Sequence, residues 1–139
     1  MMAKINSRAK GSNAEREFAA ILFDHLGVRL VRNLEQCRGG GHDLIVAPGQ
    51  AGPVTDYINR FAIECKRYAV ITPAKINIWW EQAIKQSAMV GKLPLLAYRG
   101  NRGQWRVVLP LLDGHTVEIS LVTFMLMARE CVFIKTVDA

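Results

Sequence analysis

The sequence of 139 residues predicts an α/β fold, in which a mixed sheet carries helices on its faces. The first observation is the order of the predicted elements, which runs helix, strands, helix, strands and a short last helix. The second is the composition, since 50% of the residues are hydrophobic and 22% are charged, as in globular proteins. The length fits a single domain over residues 1–139, and no internal repeat is visible.

The first half of the chain predicts one helix followed by short strands. Residues 1–10 are polar and basic and are expected to form a loose arm. Ser12 or Asn13 can cap a helix that runs to about Leu26, where Gly27 stops it. The buried face of this helix recurs at helical spacing and comprises Phe18, Ile21, Leu22, His25 and Leu26. Strands are predicted over 28–34 and 43–47, with a glycine-rich loop over 35–42 between them and a loop over 48–58 after them.

The second half predicts a strand, a longer helix and a hairpin. The strand spans residues 60–66. Thr72 caps the helix, Pro73 lies in its first turn, and Gly91 stops it after about Val90. Its apolar face comprises Ile76, Trp79, Trp80, Ala83, Ser87 and Val90. Strands over 93–99 and 104–109 pair across a tight turn, Ser120 can cap a last helix over 121–129, and residues 131–137 are apolar without an assigned structure.

The charge balance indicates a polyanionic partner. The net charge is +6 and the pI about 9.6, and the basic residues spread along the chain rather than forming a tail. Such a surface suits nucleic acid first, although a solvated basic surface without a partner is the alternative. No apolar run is long enough to cross a bilayer and the first residues lack a secretory signal, so no membrane association and a cytoplasmic location are expected.

The cysteines predict neither disulfides nor a zinc site. Cys37, Cys65 and Cys131 are too few and too scattered for a disulfide framework. Cys37 and His42 could form half of a zinc site, but no second ligand pair accompanies them. Cys65 and Cys131 are expected to pack as small apolar residues.

The stretch FAIECKRY, residues 61–68, places charges on an apolar strand. Because strand side chains alternate, Glu64 and Lys66 share one face while Cys65 points to the other. A buried carboxylate beside a buried amine is costly unless the two pair or bind something charged. The pair is either an edge-strand ion pair in water or half of a metal and phosphate site.

Two acids on the first helix are separated by geometry. At about 100° per residue, the apolar face centres near Phe18, Leu22 and Leu26, and Glu15 lies within roughly 60° of each. Glu17 lies on the opposite side and is expected to be solvated. Glu15 is therefore predicted to point at the sheet, where a metal-bound water, an arginine or a DNA cleft would explain it. The alternative is an acid that favours the helix dipole.

Asp43 opens a strand just after three glycines, with His42 between them. If that strand neighbours the one bearing Glu64, the two carboxylates can converge on a divalent cation such as Mg²⁺. Lys66 could then hold the attacking water or stabilise charge on a phosphate. An acid at a strand start is also often only the end of a turn, and D…E-x-K is a short pattern.

Three stretches together are more specific: KGSNAEREFAAILFDHLGVRLVR, GGHDLIVA and FAIECKRY. In this order they resemble the PD-(D/E)-x-K nuclease superfamily, and within it the archaeal-type Holliday junction resolvases and similar phage-encoded resolvases. The resemblance covers about residues 10–109 and implies a restriction-endonuclease-like mixed sheet flanked by helices. The chain departs from the pattern in having His42 before Asp43, a long segment between Asp43 and Glu64, and no matched motif in its last 30 residues.

The resemblance implies a catalytic set and a reaction. Glu15, Asp43, Glu64 and Lys66 match the catalytic positions, and the three acids would hold one or two Mg²⁺ ions, with Mn²⁺ able to substitute. Lys66 would help to activate water for in-line attack that breaks the P–O3′ bond. The resemblance further implies a homodimer whose two sites nick opposing strands of a DNA four-way junction, in recombination and repair.

Further residues are predicted to contact DNA. Arg16 and Arg32 match basic family positions, and Arg99 and Arg102 flank a hairpin turn where phosphate contacts are common. The complete predicted set is Lys10, Arg16, Arg32, Arg38, Arg67, Lys75, Gln82, Gln86, Arg99 and Arg102. Glutamines on a helix and a polar hairpin tip can equally be solvated.

The predicted function is a metal-dependent, structure-specific DNA endonuclease that resolves four-way junctions. A restriction-type or repair-type endonuclease on duplex DNA is one alternative. A DNA-binding module that keeps the fold without cutting is another. A purely structural or interaction protein would leave the strand charges Glu64 and Lys66 unexplained.

Overall fold

One six-stranded sheet organises the part of the protein that the structure describes. The computed structural model describes residues 7–33, 43–111 and 114–132, with side chains from residue 13 onward. The helices are α1 (Ser7–Leu26), α2 (Pro53–Asn59), α3 (Pro73–Met89) and α4 (Leu121–Arg129). The strands are β1 (Leu30–Arg32), β2 (Leu44–Val46), β3 (Phe61–Tyr68), β4 (Leu93–Gly100), β5 (Arg106–Pro110) and β6 (Thr116–Ser120).

The strands lie in sequential order from β1 to β6. The β3–β4 pair is parallel and every other pair is antiparallel, so α3 is the crossover between two parallel neighbours. The prediction of an α/β class with a mixed central sheet flanked by helices is confirmed. The extent of a single domain over 1–139 stays a prediction.

Each face of the sheet carries its own core. Alternate side chains of β3, β4 and β5 pack with α1, α2 and α4 on one face, where Phe18, Leu22 and Phe124 are fully buried. On the other face Trp79 of α3 packs with Leu96, Tyr98 and Val108. Because Glu64 pairs with Leu96 in the parallel register, Glu64 and Lys66 lie on the α3 face.

The predicted end of the first helix and the predicted N-terminal caps of α3 and α4 are confirmed, whereas Ser12 and Asn13, predicted to cap the first helix, lie inside α1. Gly27 has φ 71° and donates its N–H to Phe23 O at 2.9 Å, which ends α1. Thr72 Oγ1 accepts from Lys75 N at 3.2 Å at the start of α3. Ser120 Oγ accepts from Thr123 N at 3.1 Å at the start of α4, and these hydroxyls satisfy donors that have no partner within the helix.

Several sequence predictions need correction. The helix α1 begins at Ser7, so residues 7–10 are helical rather than part of an arm. The predicted loop 48–58 contains most of α2, and β6 was not predicted. His25 and Val90, predicted on buried helix faces, are exposed: His25 lies in the last turn of α1, and Val90 directly follows α3.

Some predictions lie outside the described residues. They include the end of the first strand at 34, the loop 35–42 with Cys37, Arg38 and His42, and residues 133–137. In the described ranges, none of the four helices is both long enough and apolar enough to cross a membrane.

Candidate active site

Three buried carboxylates come from three different elements. Glu15 lies on α1, Asp43 directly precedes β2, and Glu64 lies in the middle of β3. Their exposed fractions are 7%, 4% and 3% respectively. In the antiparallel register Leu44 pairs with Ile63, which places Asp43 beside Glu64. The condition under which the two carboxylates were expected to converge, that their strands are neighbours, is therefore met.

Backbone hydrogen bonds fix Asp43 against β3. Asp43 N donates to Ile63 O at 2.8 Å, and Cys65 N donates to Asp43 Oδ2 at 2.8 Å. On its other side Asp43 O accepts from Asn33 N at 2.8 Å. The carboxylate thus has one oxygen tied to the strand that carries Glu64, which holds the two acids side by side.

Glu64 is surrounded by negative charge and by one amine. Lys66 Nζ lies 3.7 Å from Glu64 Oε1, and Glu64 Oε2 is buried without a hydrogen-bond donor among the described residues. Burial, foremost, and the negative charge of Asp43 together raise the pKa of Glu64 to about 8, against the opposing charge of Lys66. The carboxyl groups of Glu64 and Asp43 can therefore share a proton near neutral pH.

Glu15 approaches the pair from the helix. Arg32 Nε of β1 donates to Glu15 Oε2 at 2.6 Å. Burial raises the pKa of Glu15, the hydrogen bond from Arg32 opposes this rise, and the charge of Asp43 adds to it. The charge of Asp43 therefore acts on Glu15, which agrees with the predicted position of Glu15 on the sheet-facing side of α1.

Cys65 lies in the apolar core on the opposite face of β3, as predicted. Its side chain is buried, and burial together with the carboxylates Asp43, Glu15 and Glu64 raises its pKa well above the usual value. It is therefore a neutral packing residue.

Within the described ranges no three His, Cys, Asp or Glu side chains stand together as a preformed metal-binding group. What distinguishes this site is that two buried carboxylates, Asp43 and Glu64, lie side by side.

Glu17 is half-buried and bonded to three side chains rather than free in solvent, so the sequence prediction for it is wrong. It accepts hydrogen bonds from Arg67 Nη1 at 3.2 Å, Arg99 Nη2 at 3.1 Å and Trp105 Nε1 at 2.9 Å. Burial alone would raise its pKa, but the hydrogen bonds from Arg99 and Trp105 lower it. The helical wheel missed these contacts because the partners come from strand ends far along the chain.

The predicted DNA-contact arginines differ in their freedom to reach a ligand. Arg16 and Arg102 are exposed. Arg32 is held by Glu15 with its side chain still 40% exposed. Arg67 and Arg99 are tied to Glu17, and Arg99 Nη1 also donates to the turn carbonyls of Gly100, Asn101 and Gly103.

The remaining predicted contacts belong mainly to α3. Lys75 Nζ donates to Val70 O at 3.0 Å and lies 5.4 Å from the centroid of the Tyr68 ring. Gln82 is exposed, whereas Gln86 is half-buried and its Oε1 has no hydrogen-bond donor among the described residues. The side chain of Lys10 and all of Arg38 lie outside the described part of the chain.

A mixed sheet that carries an Asp, a Glu-x-Lys strand and a helix acid on adjacent elements defines the PD-(D/E)-x-K class of nucleases, as the motifs predicted. Residues 6–138 match the family described as "Phage putative PDDEXK endonuclease", and the chain belongs to this family. Protein D14 of Escherichia phage T5 is 25% identical to it, over 79% of this chain and 77% of that protein.

A solved structure is also similar. Archaeoglobus fulgidus Hjc, a Holliday junction resolvase from an archaeal hyperthermophile, has 16% sequence identity and a TM-score of 0.46. The superposition covers 91% of this chain and 99% of the archaeal chain.

Proposed function

We propose that this protein is a divalent-metal-dependent DNA endonuclease that resolves four-way junctions by paired nicks. The observation that carries the proposal is the buried pair of Asp43 and Glu64, with the amine of Lys66 3.7 Å from Glu64. Two adjacent buried carboxylates repel each other and destabilise the fold unless they share a proton or bind a cation. Because the chain belongs to a nuclease family, we infer that this cation is a divalent metal ion that serves the nuclease reaction.

The side chains present fit Mg²⁺. All the donors are carboxylate oxygens, and Glu64 Oε2 is buried with no described group donating a hydrogen bond to it. Mg²⁺ is usually bound through one or two carboxylates, with water and substrate phosphate completing its coordination. We assign Asp43 and Glu64 as the ligands, with Glu15 acting directly or through water. Mn²⁺ accepts the same ligands and should substitute.

When bound, the metal would supply positive charge that activates water and stabilises the phosphate. The chain's own residues do the rest. Lys66 is held near Glu64 and can donate a hydrogen bond to the attacking water or to a phosphate oxygen where negative charge develops. The hydrogen bond from Arg32 Nε favours the ionised form of Glu15 against the effect of burial, and a Glu15 oxygen can accept a hydrogen bond from water.

The choice of substrate rests on charge and on the motif resemblance over residues 10–109. A net charge of +6 suits a nucleic acid partner. Cleaving both strands of a junction at related positions requires two sites at a fixed distance, which a homodimer would provide. Light scattering on the purified protein would measure the oligomeric state.

The decisive experiment compares a labelled four-way junction with a linear duplex of the same arm sequence. We expect wild type with Mg²⁺ or Mn²⁺ to nick the junction in symmetric pairs and to leave the duplex largely intact. Glu64→Ala should bind the junction and fail to nick it. Glu81→Ala, which removes an exposed carboxylate from α3, is the matched control and should cut normally.

Other results would select the alternatives. Equal cleavage of the duplex would replace junction resolution with a restriction-type or repair-type endonuclease. Binding without cleavage in either metal would indicate a non-cleaving DNA-binding module and would end the enzyme proposal. Full activity of Glu64→Ala would remove the carboxylate pair from the mechanism.

A further inference from the structure

Glu17 joins α1 to three strand ends beside the candidate active site. Its Oε2 accepts from Arg67 Nη1 of β3 at 3.2 Å and from Arg99 Nη2 of β4 at 3.1 Å. Its Oε1 accepts from Trp105 Nε1, just before β5, at 2.9 Å, and lies 2.7 Å from Arg99 Nε. One carboxylate therefore links a helix to three neighbouring strands.

These links are placed next to proposed catalytic residues on both sides. Glu15 lies two residues before Glu17 on the same helix, and Lys66 directly precedes Arg67 on β3. Because strand side chains alternate, Arg67 points to the α1 face while Lys66 points to the α3 face. A bond that holds the Arg67 side chain thus restrains the backbone that carries Lys66.

The network is more rigid than a surface ion pair. The exposed side-chain fractions are 31% for Glu17, 29% for Arg67 and 15% for Arg99. The neighbouring residue Phe18 packs edge-on against Trp105 with ring centroids 5.3 Å apart. Exposed ion pairs hold geometry weakly, but a half-buried carboxylate with several donors on packed residues restrains its partners.

We propose that Glu17 is a positioning residue that sets the separation between Glu15 on α1 and Lys66 on β3. This inference rests on the proposed nuclease function. It assigns Arg67 and Arg99 primarily to this network rather than to DNA phosphates. Asp43 and Glu64 are held by separate backbone bonds between β2 and β3, so their geometry does not depend on Glu17.

The test uses Glu17→Gln, which keeps the shape of the side chain and removes its charge. Cleavage of the labelled four-way junction is measured in single turnover with Mg²⁺. Junction affinity is measured with Ca²⁺ in place of Mg²⁺, and Mg²⁺ affinity by calorimetry. We expect the single-turnover rate to fall about 10- to 100-fold, as for a small misplacement of reacting groups, while both dissociation constants change less than about threefold.

The matched control is Glu118→Gln. Glu118 also accepts from an arginine and an aromatic residue, since Arg106 Nη2 lies 3.3 Å away and the Tyr98 hydroxyl donates to it. It lies on β6, at the edge of the sheet away from β2. If both variants lose similar stability, only Glu17→Gln should lose cleavage rate. An equal loss of rate in the control would overturn the proposal.

Two further readouts separate positioning from catalysis and from simple destabilisation. Glu17 does not transfer protons in this proposal, so Glu17→Gln should lower the rate by the same factor at every pH. Since Glu17 acts through Arg67, the rate losses of Glu17→Gln and Arg67→Gln should be less than multiplicative in the double variant. A changed pH profile, or fully multiplicative losses, would contradict the assignment.

Amide hydrogen exchange tests the coupling without any cleavage. Glu17→Gln should speed exchange in residues 13–20 and 61–68 together, and Glu118→Gln should not. Absence of cleavage by wild type would defeat the proposed function, while this exchange result would still decide whether Glu17 couples the helix to the strand. Unchanged exchange in both segments would overturn the inference.

Discussion

Glu64 is a carboxyl that the folded protein keeps protonated more readily than the unfolded chain does. Burial, foremost, and then the charge of Asp43 raise its pKa from 4.5 to about 8. The folded state therefore holds a proton between these values that the unfolded state has released. The stabilising effect of this proton is complete below about pH 4.5 and is lost as the pH rises through about 8.

The metal-free protein should accordingly be less stable in mild alkali than in mild acid. With a chelator present, we expect the melting temperature to fall by roughly 10 °C between pH 5 and pH 8.5. Differential scanning fluorimetry in buffers of matched ionic strength measures this change. Glu64→Gln has no proton to lose at this position, so its decrease should be clearly smaller. Identical curves for the two proteins would show that Glu64 does not control the effect.

The affinity for a divalent metal ion should rise with pH, whereas the stability of the metal-free protein should fall. A divalent cation competes with the proton shared by Asp43 and Glu64, so its affinity rises as that proton leaves. Saturating Mg²⁺ should raise the melting temperature by about 3–6 °C at pH 8.5, and by less than about half of that at pH 6. Asp43→Asn should abolish the increase at both values. A Mg²⁺ effect that is equal at both pH values would contradict proton competition.

Single residues were predictable where a local pattern exposed them. Strand alternation paired Glu64 with Lys66, and the helical wheel directed Glu15 to the sheet. The partnership of Asp43 with Glu64 needed a condition that sequence alone leaves open, namely that their strands are neighbours. Glu17 was missed because its partners lie 50 or more positions away, and no local period reports such contacts.

Among the elements, α3 depends on a defined N-terminal cap. Thr72 Oγ1 accepts from Lys75 N at 3.2 Å, and α3 covers the face of the sheet on which Glu64 and Lys66 lie. Thr72→Ala should lower the free energy of unfolding by about 1 kcal/mol. Urea denaturation measures this value. Asn77→Ala, at an exposed position within the same helix, is the control and should change stability little.

Elements with caps or clear periods were predictable, whereas short elements that depend on their neighbours were not. The 17-residue helix α3 and the β4–β5 hairpin follow from Thr72, Pro73 and the turn at 100–103. Helix α2 has seven residues, too few for a period, and is held by the burial of Tyr57 and Ile58. Strand β6 is an edge strand with a mixed burial pattern, and its pairing with β5 defines it.

At the scale of the whole molecule, the parallel β3–β4 pair gives the sheet two distinct ends. Lys66 lies near the carboxyl end of β3, and Arg102 lies in the turn that follows the carboxyl end of β4. Arg60 precedes β3 and lies at the opposite end. Both arginines are exposed, so they offer equal charges at different distances from the candidate active site.

DNA binding should therefore respond differently to the two arginines. We expect the logarithm of junction affinity to fall linearly with the logarithm of salt concentration, because bound phosphates release counterions. Arg102→Gln should reduce the magnitude of this slope by about one, the value for one lost phosphate contact, and Arg60→Gln should leave it unchanged. Fluorescence anisotropy with Ca²⁺ in place of Mg²⁺ measures both slopes without cleavage. Equal slopes for Arg102→Gln and wild type would mean that the DNA does not reach the β4–β5 turn. A reduced slope for Arg60→Gln alone would place the DNA at the other end of the sheet, away from Lys66.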